Sequence, residues 1–331
     1  MLAYVVKRIL SMVPVFFFVA LISFAIIALF PGDFYTGALL SLVMSGMSYN
    51  DAHEAVDALR VANGMNKAWF VQFWVWFEGV ITEGDFGVSW RYILQPENGL
   101  GWTLVIAGSS MIWAWVLGIP VGVLAALRKD TWIDHLIAGW TYVGFSFPPY
   151  VWGTLFFVFM FHCVNDNVIG PGIWGLVGWE LVGTPLTWYK VGSHILHLLP
   201  AWVIVGAPMF AVVARHTRIS VSDALSDPYV TVARGKGLRE RRVLFKHALR
   251  NAVNPLVSIF GLTLPTLITS MILLGPVLGF DTFGQFFIHA AQMQSQHRLT
   301  ACLLIYASFL LLGNLIADLL LVAVDPRIRY E

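Results

Sequence analysis

Long apolar stretches alternate with polar, turn-rich ones along the whole chain. Six stand out, at residues 9–30, 101–127, 136–163, 198–214, 255–280 and 299–324. The last is interrupted by Asp318. A helix crosses the hydrocarbon core of a bilayer with roughly 20 apolar residues. The pattern therefore predicts an all-α integral membrane protein with six transmembrane helices. Residues 1–30 hold the first. Residues 31–100 form an outer segment, and residues 101–331 a five-helix core interrupted by a basic loop at 215–250.

Composition strengthens that picture. Of 331 residues, 58% are hydrophobic and 12% charged, against about 25% charged in a soluble domain. Lys7 and Arg8 precede the first span, as in a cleaved leader. Its apolar part exceeds the roughly 7–15 residues of a leader core, and no small-residue cleavage pattern follows. A retained first helix is the expectation. Cys163 and Cys302 stand far apart. They form no metal-like spacing and would pair only if the fold joins them.

Net charge is +1, so the distribution of charge is more informative than its sum. With the N-terminus inside, 15 of the 20 Lys and Arg residues fall in inner segments and five outside. That asymmetry follows the positive-inside rule and predicts an N-in, C-in topology. The outer segment agrees, with eight acidic residues against three basic ones.

The outer segment is predicted to be helical. Residues 48–62 read as a short amphipathic helix. Residues 68–77 are apolar and aromatic but too few to span, which suits the membrane–water interface. Two readings stand: a cap that touches a delivery protein, or an interfacial helix that seals the lipid boundary. Residues 165–197, rich in Gly and Trp, read as a re-entrant or surface loop. Residues 286–291 read as a short helix lining an external mouth.

The basic loop carries nine basic and three acidic residues. Topology alone demands basic residues there, yet does not explain their order. Asp227 followed by Pro228 is a helix start, a capping side chain before a ring preset for the first helical position. Gly235 and Gly237 stand where such a helix ends. The predicted helix covers residues 228–234, with Tyr229, Val232 and Ala233 on one face and Arg234 and Lys236 beside it. A second helix is expected from Arg239, with Arg239, Arg242, Lys246 and Arg250 on one stripe and Leu244 and Ala248 on another. A two-turn helix is barely stable alone. A separate cytosolic subunit is the expected surface for its apolar face, and a plain connector is the alternative.

The run Tyr229-Val230-Thr231-Val232-Ala233-Arg234-Gly235-Lys236-Gly237-Leu238 resembles the cytoplasmic loop of binding-protein-dependent ABC importer permeases. That family's pattern places an acidic residue and two alanines before a glycine. Here the glycine is Gly237, and Thr231, Val232 and Ala233 fill the earlier positions, so the acid is missing. Peptide-type permeases commonly show Thr there. Other segments resemble the dipeptide, oligopeptide and nickel branch. They include Lys7-Arg8-Ile9-Leu10, Pro31-Gly32-Asp33, Asn63-Gly64-Met65-Asn66-Lys67 and Gly84-Asp85-Phe86-Gly87-Val88-Ser89. Gly118-Ile119-Pro120-Val121-Gly122, His247-Ala248-Leu249-Arg250-Asn251-Ala252 and Asp325-Pro326-Arg327-Ile328-Arg329-Tyr330 complete the series. The region from Gly275 to Gly284 departs from the usual pattern, which puts the external gate and its substrate in question.

The resemblance implies a bacterial or archaeal inner-membrane permease subunit of a peptide importer, the first of a pair. Its implied partners are a second homologous permease subunit, two cytosolic ATP-binding subunits, an extracytoplasmic solute-binding protein and the lipid membrane. No nucleic acid is implied. Asp227, Pro228, Tyr229, Val230, Thr231, Ala233, Arg234, Gly235, Lys236, Gly237 and Leu238 would couple to the ATPases. Oligosaccharide or nickel complexes are alternative cargoes.

No other chemistry is conspicuous. Gly235-Lys236-Gly237 lacks the glycine spacing and following Ser or Thr of a phosphate-binding loop. No cofactor or catalytic residue is expected, and ATP would be bound by partners. His194 with His197, and His289 with His297, lack companions that complete a metal set. Asn314 and Asp318 lie one turn apart in the last span. Intramembrane acids face protein or water, so these two read as a polar helix contact. The rival reading is a secondary transporter with Asp318 as its ion site. Paired Pro148 and Pro149, with Pro200, Pro208 and Pro265, are expected to kink helices.

Overall fold

The computed structural model describes residues 2–30, 34–86, 99–165, 185, 187–280 and 282–324, and these residues form helices joined by turns, with no strand among them. They separate into two compact units, one of residues 1–101 with 282–311 and one of residues 102–281 with 312–331.

The first unit begins with α1 (Leu2–Leu29). The outer segment follows as α2 (Phe34–Met44), α3 (Tyr49–Ala62) and α4 (Trp69–Thr82). The amphipathic helix expected at 48–62 is α3. Ser48 caps it by accepting from the Asp51 N–H, and Ala52 and Val56 are its buried stripe. The aromatic run at 68–77 lies in α4. Phe73 and Trp76 bury themselves with Ala20 and Phe24 of α1 and with Leu304. The Phe24 and Phe73 rings meet edge to face at 5.5 Å, an arrangement aromatic quadrupoles favour. The inner face of this helix is thus occupied by protein, while Phe70, Trp74 and Val75 stay exposed.

The second unit holds α5 (Leu100–Leu127), α6 (Trp132–Ser146), α7 (Pro149–Asn165), α8 (Trp188–Ser226) and α9 (Pro228–Gly235). It continues through α10 (Glu240–Arg242), a π-helical turn (Val243–Ala248) and α11 (Leu249–Val277). α12 (Phe283–Gln292), which contains the short helix expected at 286–291, belongs to the first unit. The closing helix, α13 (Gln296–Val324), contributes to both.

Among the described residues, four helices are long and apolar enough to cross a membrane, or five if the bent α11 counts as one span. α11 turns by 48° between Gly261 and Thr266, around Pro265, which has no N–H to give the helical ladder. Over the span predicted at 136–163 the chain forms two helices, α6 and α7, of 15 and 17 residues. The break follows from Pro148 and Pro149. A proline disfavours helical backbone in the residue before it, and Phe147 is extended at φ −113 and ψ 134.

Two loop expectations are also corrected. Residues 188–197 are not loop but the start of α8. Residues 215–226 are not part of a basic loop but its last three turns. Ala214, Thr217, Val221 and Ala224 are all buried, at the 3- and 4-residue spacing of one helix face. Residues 166–184 and 186 of the predicted loop at 165–197, and Pro31-Gly32-Asp33, Gly87-Val88-Ser89 and the ending at 325–330, lie outside the described residues.

Small residues let these helices approach closely, as they do in membrane bundles. A Cβ on Gly122 of α5 would strike the Ala214 carbonyl and the Thr217 side chain of α8. Cys302 is a buried free thiol.

Candidate functional site

α9 begins as its sequence requires. Asp227 is the N-cap with extended backbone, and Pro228 takes the first helical position. The Asp227 side chain makes no capping hydrogen bond, so the start rests on the proline geometry and not on the carboxylate. The helix ends one residue beyond the expected boundary, at Gly235. The ending is a Schellman motif. The Leu238 N–H donates to the Ala233 carbonyl and the Gly237 N–H to the Arg234 carbonyl, at 3.4 and 2.9 Å. Gly237 supplies the left-handed residue that this closure needs, at φ 71, while Gly235 is an ordinary helical residue.

The motif folds the chain back on itself, so α9 has two different faces. Val230 and Ala233 are buried against Val243 of the π turn, with Leu225 and Leu238 packed around them. Tyr229 and Val232 point the other way, 36% and 57% exposed. Asp227, Pro228, Thr231, Arg234, Gly235, Lys236 and Gly237 are exposed as well. The face expected from Tyr229, Val232 and Ala233 is therefore divided. Ala233 seals the helix to its own chain, and Tyr229 with Val232 remains available.

Arg234, expected beside the docking face, forms an ion pair with Glu240 at 3.0 Å. Both side chains are well exposed, so the pair contributes little stability, though it bridges the turn between α9 and α10.

The π turn sets the geometry of the site. Its hydrogen bonds reach one residue further along the chain than those of an α-helix, which moves neighbouring side chains onto different faces. Val243 enters the α9 cluster, while Leu244 enters a second cluster with Ala126 of α5, Val221 of α8 and Ala252 of α11. Adjacent residues thus join the short helix to the ends of three long ones. Arg239, Arg242, Lys246 and Arg250 are exposed, and Leu244 and Ala248 buried, as their two stripes require.

A further element was not legible in the sequence. Arg218, near the end of α8, grips Asp134 at the start of α6 through two hydrogen bonds of 2.6 Å. Asp134 is 4% exposed and also accepts from the Asp130 N–H at 3.0 Å. The Arg218 guanidinium holds the Asp134 carboxyl below the usual carboxylate range against the opposing effect of burial. Such a two-pronged pair fixes orientation as well as charge. Its signal was an acid just inside a helix start, but its partner lies 84 residues away.

Asn314 and Asp318 occupy α13, one turn apart and half-buried. A Cβ on Gly261 of α11 would strike Ala317 and the Gly313 carbonyl beside them, so this part of α13 lies in close helix contact. His197 Nδ1 lies 2.7 Å from the Ser193 carbonyl, His194 rests by Trp102 and His297 stacks on Phe24. Among the described residues no three His, Cys, Asp or Glu side chains gather in a metal-like group.

Gly237→Ala is expected to destabilise the purified subunit by about 1 kcal/mol, the usual penalty of a side chain at positive φ. An added Cβ meets nothing within 4 Å at either Gly237 or Gly235. Gly235→Ala is therefore expected to be neutral or slightly stabilising. Thermal unfolding of the two variants in detergent checks the order; the reverse order would disprove the closure.

Residues 118–330 match the family described as binding-protein-dependent transport system inner membrane component, and residues 1–94 match the N-terminal model of the same systems. The chain is 33% identical to the oligopeptide transport system permease protein AppB of Bacillus subtilis, over the full length of both. It is 30% identical to the dipeptide transport system permease protein DppB of Escherichia coli, again over the full length of both. Among solved structures, the inward-facing MetNI methionine ABC transporter matches with a TM-score of 0.51 and 18% identity. That match covers 67% of this chain and 93% of the other.

Proposed function

This chain belongs to the family of binding-protein-dependent transport system inner membrane components, and from that premise we propose that it forms half the path of a peptide importer. It is a multi-pass inner-membrane permease subunit of an ATP-driven importer. Peptide cargo is supported by the names of the full-length relatives, which transport oligopeptides and dipeptides. The other half of the path is a second, homologous permease. Two cytosolic subunits bind and hydrolyse ATP, and a soluble solute-binding protein delivers cargo from outside.

The topology in this reading has six spans with both termini inside. α6 and α7 together make the third, a span broken at its proline pair. The basic turns from Arg215 to Arg250 then face the cytosol, as their charge favours. Bacterial origin accords with the species of the relatives.

One observation supports coupling through α9 above all. Its inner face is locked to the chain through Val230, Ala233 and Val243, while Tyr229 and Val232 are left exposed. An ATPase that grips the exposed face moves α9 as a rigid piece. The motion passes through Val243 to the π turn and through Leu244 to the ends of α5, α8 and α11. The bundle then exchanges an inward-open for an outward-open path. Asp227, Pro228, Thr231, Arg234, Gly235, Lys236, Gly237 and Leu238 complete the coupling segment by shaping its ends and rim.

Co-purification in mild detergent tests this reading. An ATP-binding subunit is expected to accompany the chain, and Tyr229→Ala is expected to release it. Purification without any such subunit, together with uptake that persists in the Tyr229 variant, would refute ATP-driven coupling at α9.

A further inference from the structure

Three segments unused by the coupling reading converge in the first unit. The turn after α3 brings Asn63, Gly64, Met65 and Lys67, Asp85 follows α4, and His297 opens α13. Together with α4 they line a cavity of about 190 Å³. This is smaller than the roughly 300–1,000 Å³ of sites for drug-sized ligands.

The chemistry of its walls is specific. Trp76 is 5% exposed, yet its indole N–H has no hydrogen-bond partner. A buried N–H without an acceptor is unfavourable, so an acceptor from a ligand fits there. Lys67 brings an ammonium to the wall and Asp85 a carboxylate. The Asp85 main chain is tied to the end of α4, its N–H donating to the Gly79 carbonyl at 3.2 Å. Neighbouring amides are already occupied. The Gln72 amide nitrogen donates to the Met65 and Lys67 carbonyls, and that of Asn63 to the Leu59 carbonyl. The stacking of His297 on Phe24 holds the imidazole against the α1–α4 core.

A cavity this small, with a cation, an anion and an orphan donor, matches a small molecule that carries both charges and an acceptor. We propose that it is a binding subsite for a dipeptide zwitterion, with the ligand ammonium on Asp85 and its carboxylate on Lys67 and the Trp76 indole N–H. The inference rests on the reading of this chain as a peptide-importer permease. It adds a substrate contact on the outer segment, distinct from the segment that couples to ATP.

The test uses the purified importer complex in lipid nanodiscs, without its solute-binding protein, and L-alanyl-L-alanine as the probe. Saturation-transfer NMR is expected to detect dipeptide binding to the unaltered complex. Asp85→Asn and Lys67→Met are each expected to weaken it by about tenfold, the loss of one charge-assisted hydrogen bond. Both positions are exposed, so the fold should tolerate them. Trp76→Phe keeps an aromatic ring in the core, removes the N–H and is expected to weaken binding as well. N-acetyl-alanyl-alanine has no ammonium and is expected to bind the unaltered complex and Asp85→Asn equally.

No binding to the unaltered complex, alongside intact ATP-driven dipeptide uptake by the full importer, would overturn the subsite and leave the importer reading standing. Equal binding by all three variants would also overturn it. So would variants that weaken docking of the solute-binding protein but not of dipeptide, which would assign the cavity to a protein contact. Absence of any ATP-driven peptide uptake would overturn the importer reading, and the subsite with it.

Discussion

Val232→Asp is expected to leave the isolated subunit folded and to strip it of its ATP-binding partners, whereas Val243→Asp loses both fold and partners. The two valines belong to opposite sides of one small site. Val232 is 57% exposed and Val243 fully buried. A carboxylate at Val232 remains in water, and surface substitutions usually change stability by no more than about 0.5 kcal/mol. It disrupts only the face a partner would cover. A carboxylate at Val243 is forced among Val230, Ala233, Leu225 and Leu238, with no cation in that cluster. An uncompensated buried charge costs about 3–5 kcal/mol, a large part of the roughly 5–15 kcal/mol that holds a typical protein together. Thermal unfolding in detergent and quantitative co-purification, measured on both variants, separate the effects. If Val232→Asp retains its ATPases and its transport, the exposed face of α9 is not the docking surface.

Gly122→Val is expected to abolish accumulation of folded subunit. The first carbon of the side chain collides with the Ala214 carbonyl and with Thr217. A backbone oxygen of a long helix cannot yield as a flexible side-chain tip can. Overpacking a tight contact costs about 1–3 kcal/mol and more where backbone must move. The same crossing includes Gly118, where an added Cβ meets Val213, so α5 and α8 cannot separate at one point alone. Gly108→Ala on the same α5 is the control. Nothing lies within 4 Å of its added Cβ, and alanine favours helix over glycine by about 1 kcal/mol. The monodisperse fraction after detergent extraction reads both. A Gly122→Val subunit as abundant and heat-resistant as Gly108→Ala would show that the close crossing is dispensable.

Different features of the chain were legible to different degrees, for physical reasons. Asp227-Pro228 and Gly237 bound α9 to within a residue because the fixed φ of proline and the positive φ of glycine are local backbone constraints. The amphipathic α3 is legible because Ser48, Ala52 and Val56 recur every four residues, the spacing of one helix face. Charge at a membrane edge predicts an end of regular structure at 215–226, yet these residues are helical. Helices continue past the lipid when a buried stripe continues, and Ala214, Thr217, Val221 and Ala224 are such a stripe. By itself the proline pair predicts a kink within one helix. The restriction on the residue before a proline makes it a full break at Phe147.

The sequence by itself determined the membrane class, the family and the short helix after Asp227. Run length, ordered motifs and the backbone preferences of Pro and Gly are properties of the linear chain. Tertiary structure alone decided which face of α9 is hidden. That depends on Val243, which a π turn carries into the α9 cluster while its neighbour Leu244 enters another. It also decided the grip of Arg218 on Asp134 and the meeting of Lys67, Trp76, Asp85 and His297 around one cavity. Arg218 is distant in sequence from Asp134, and His297 from the other cavity residues, and only folding brings their charges and apolar surfaces within contact range.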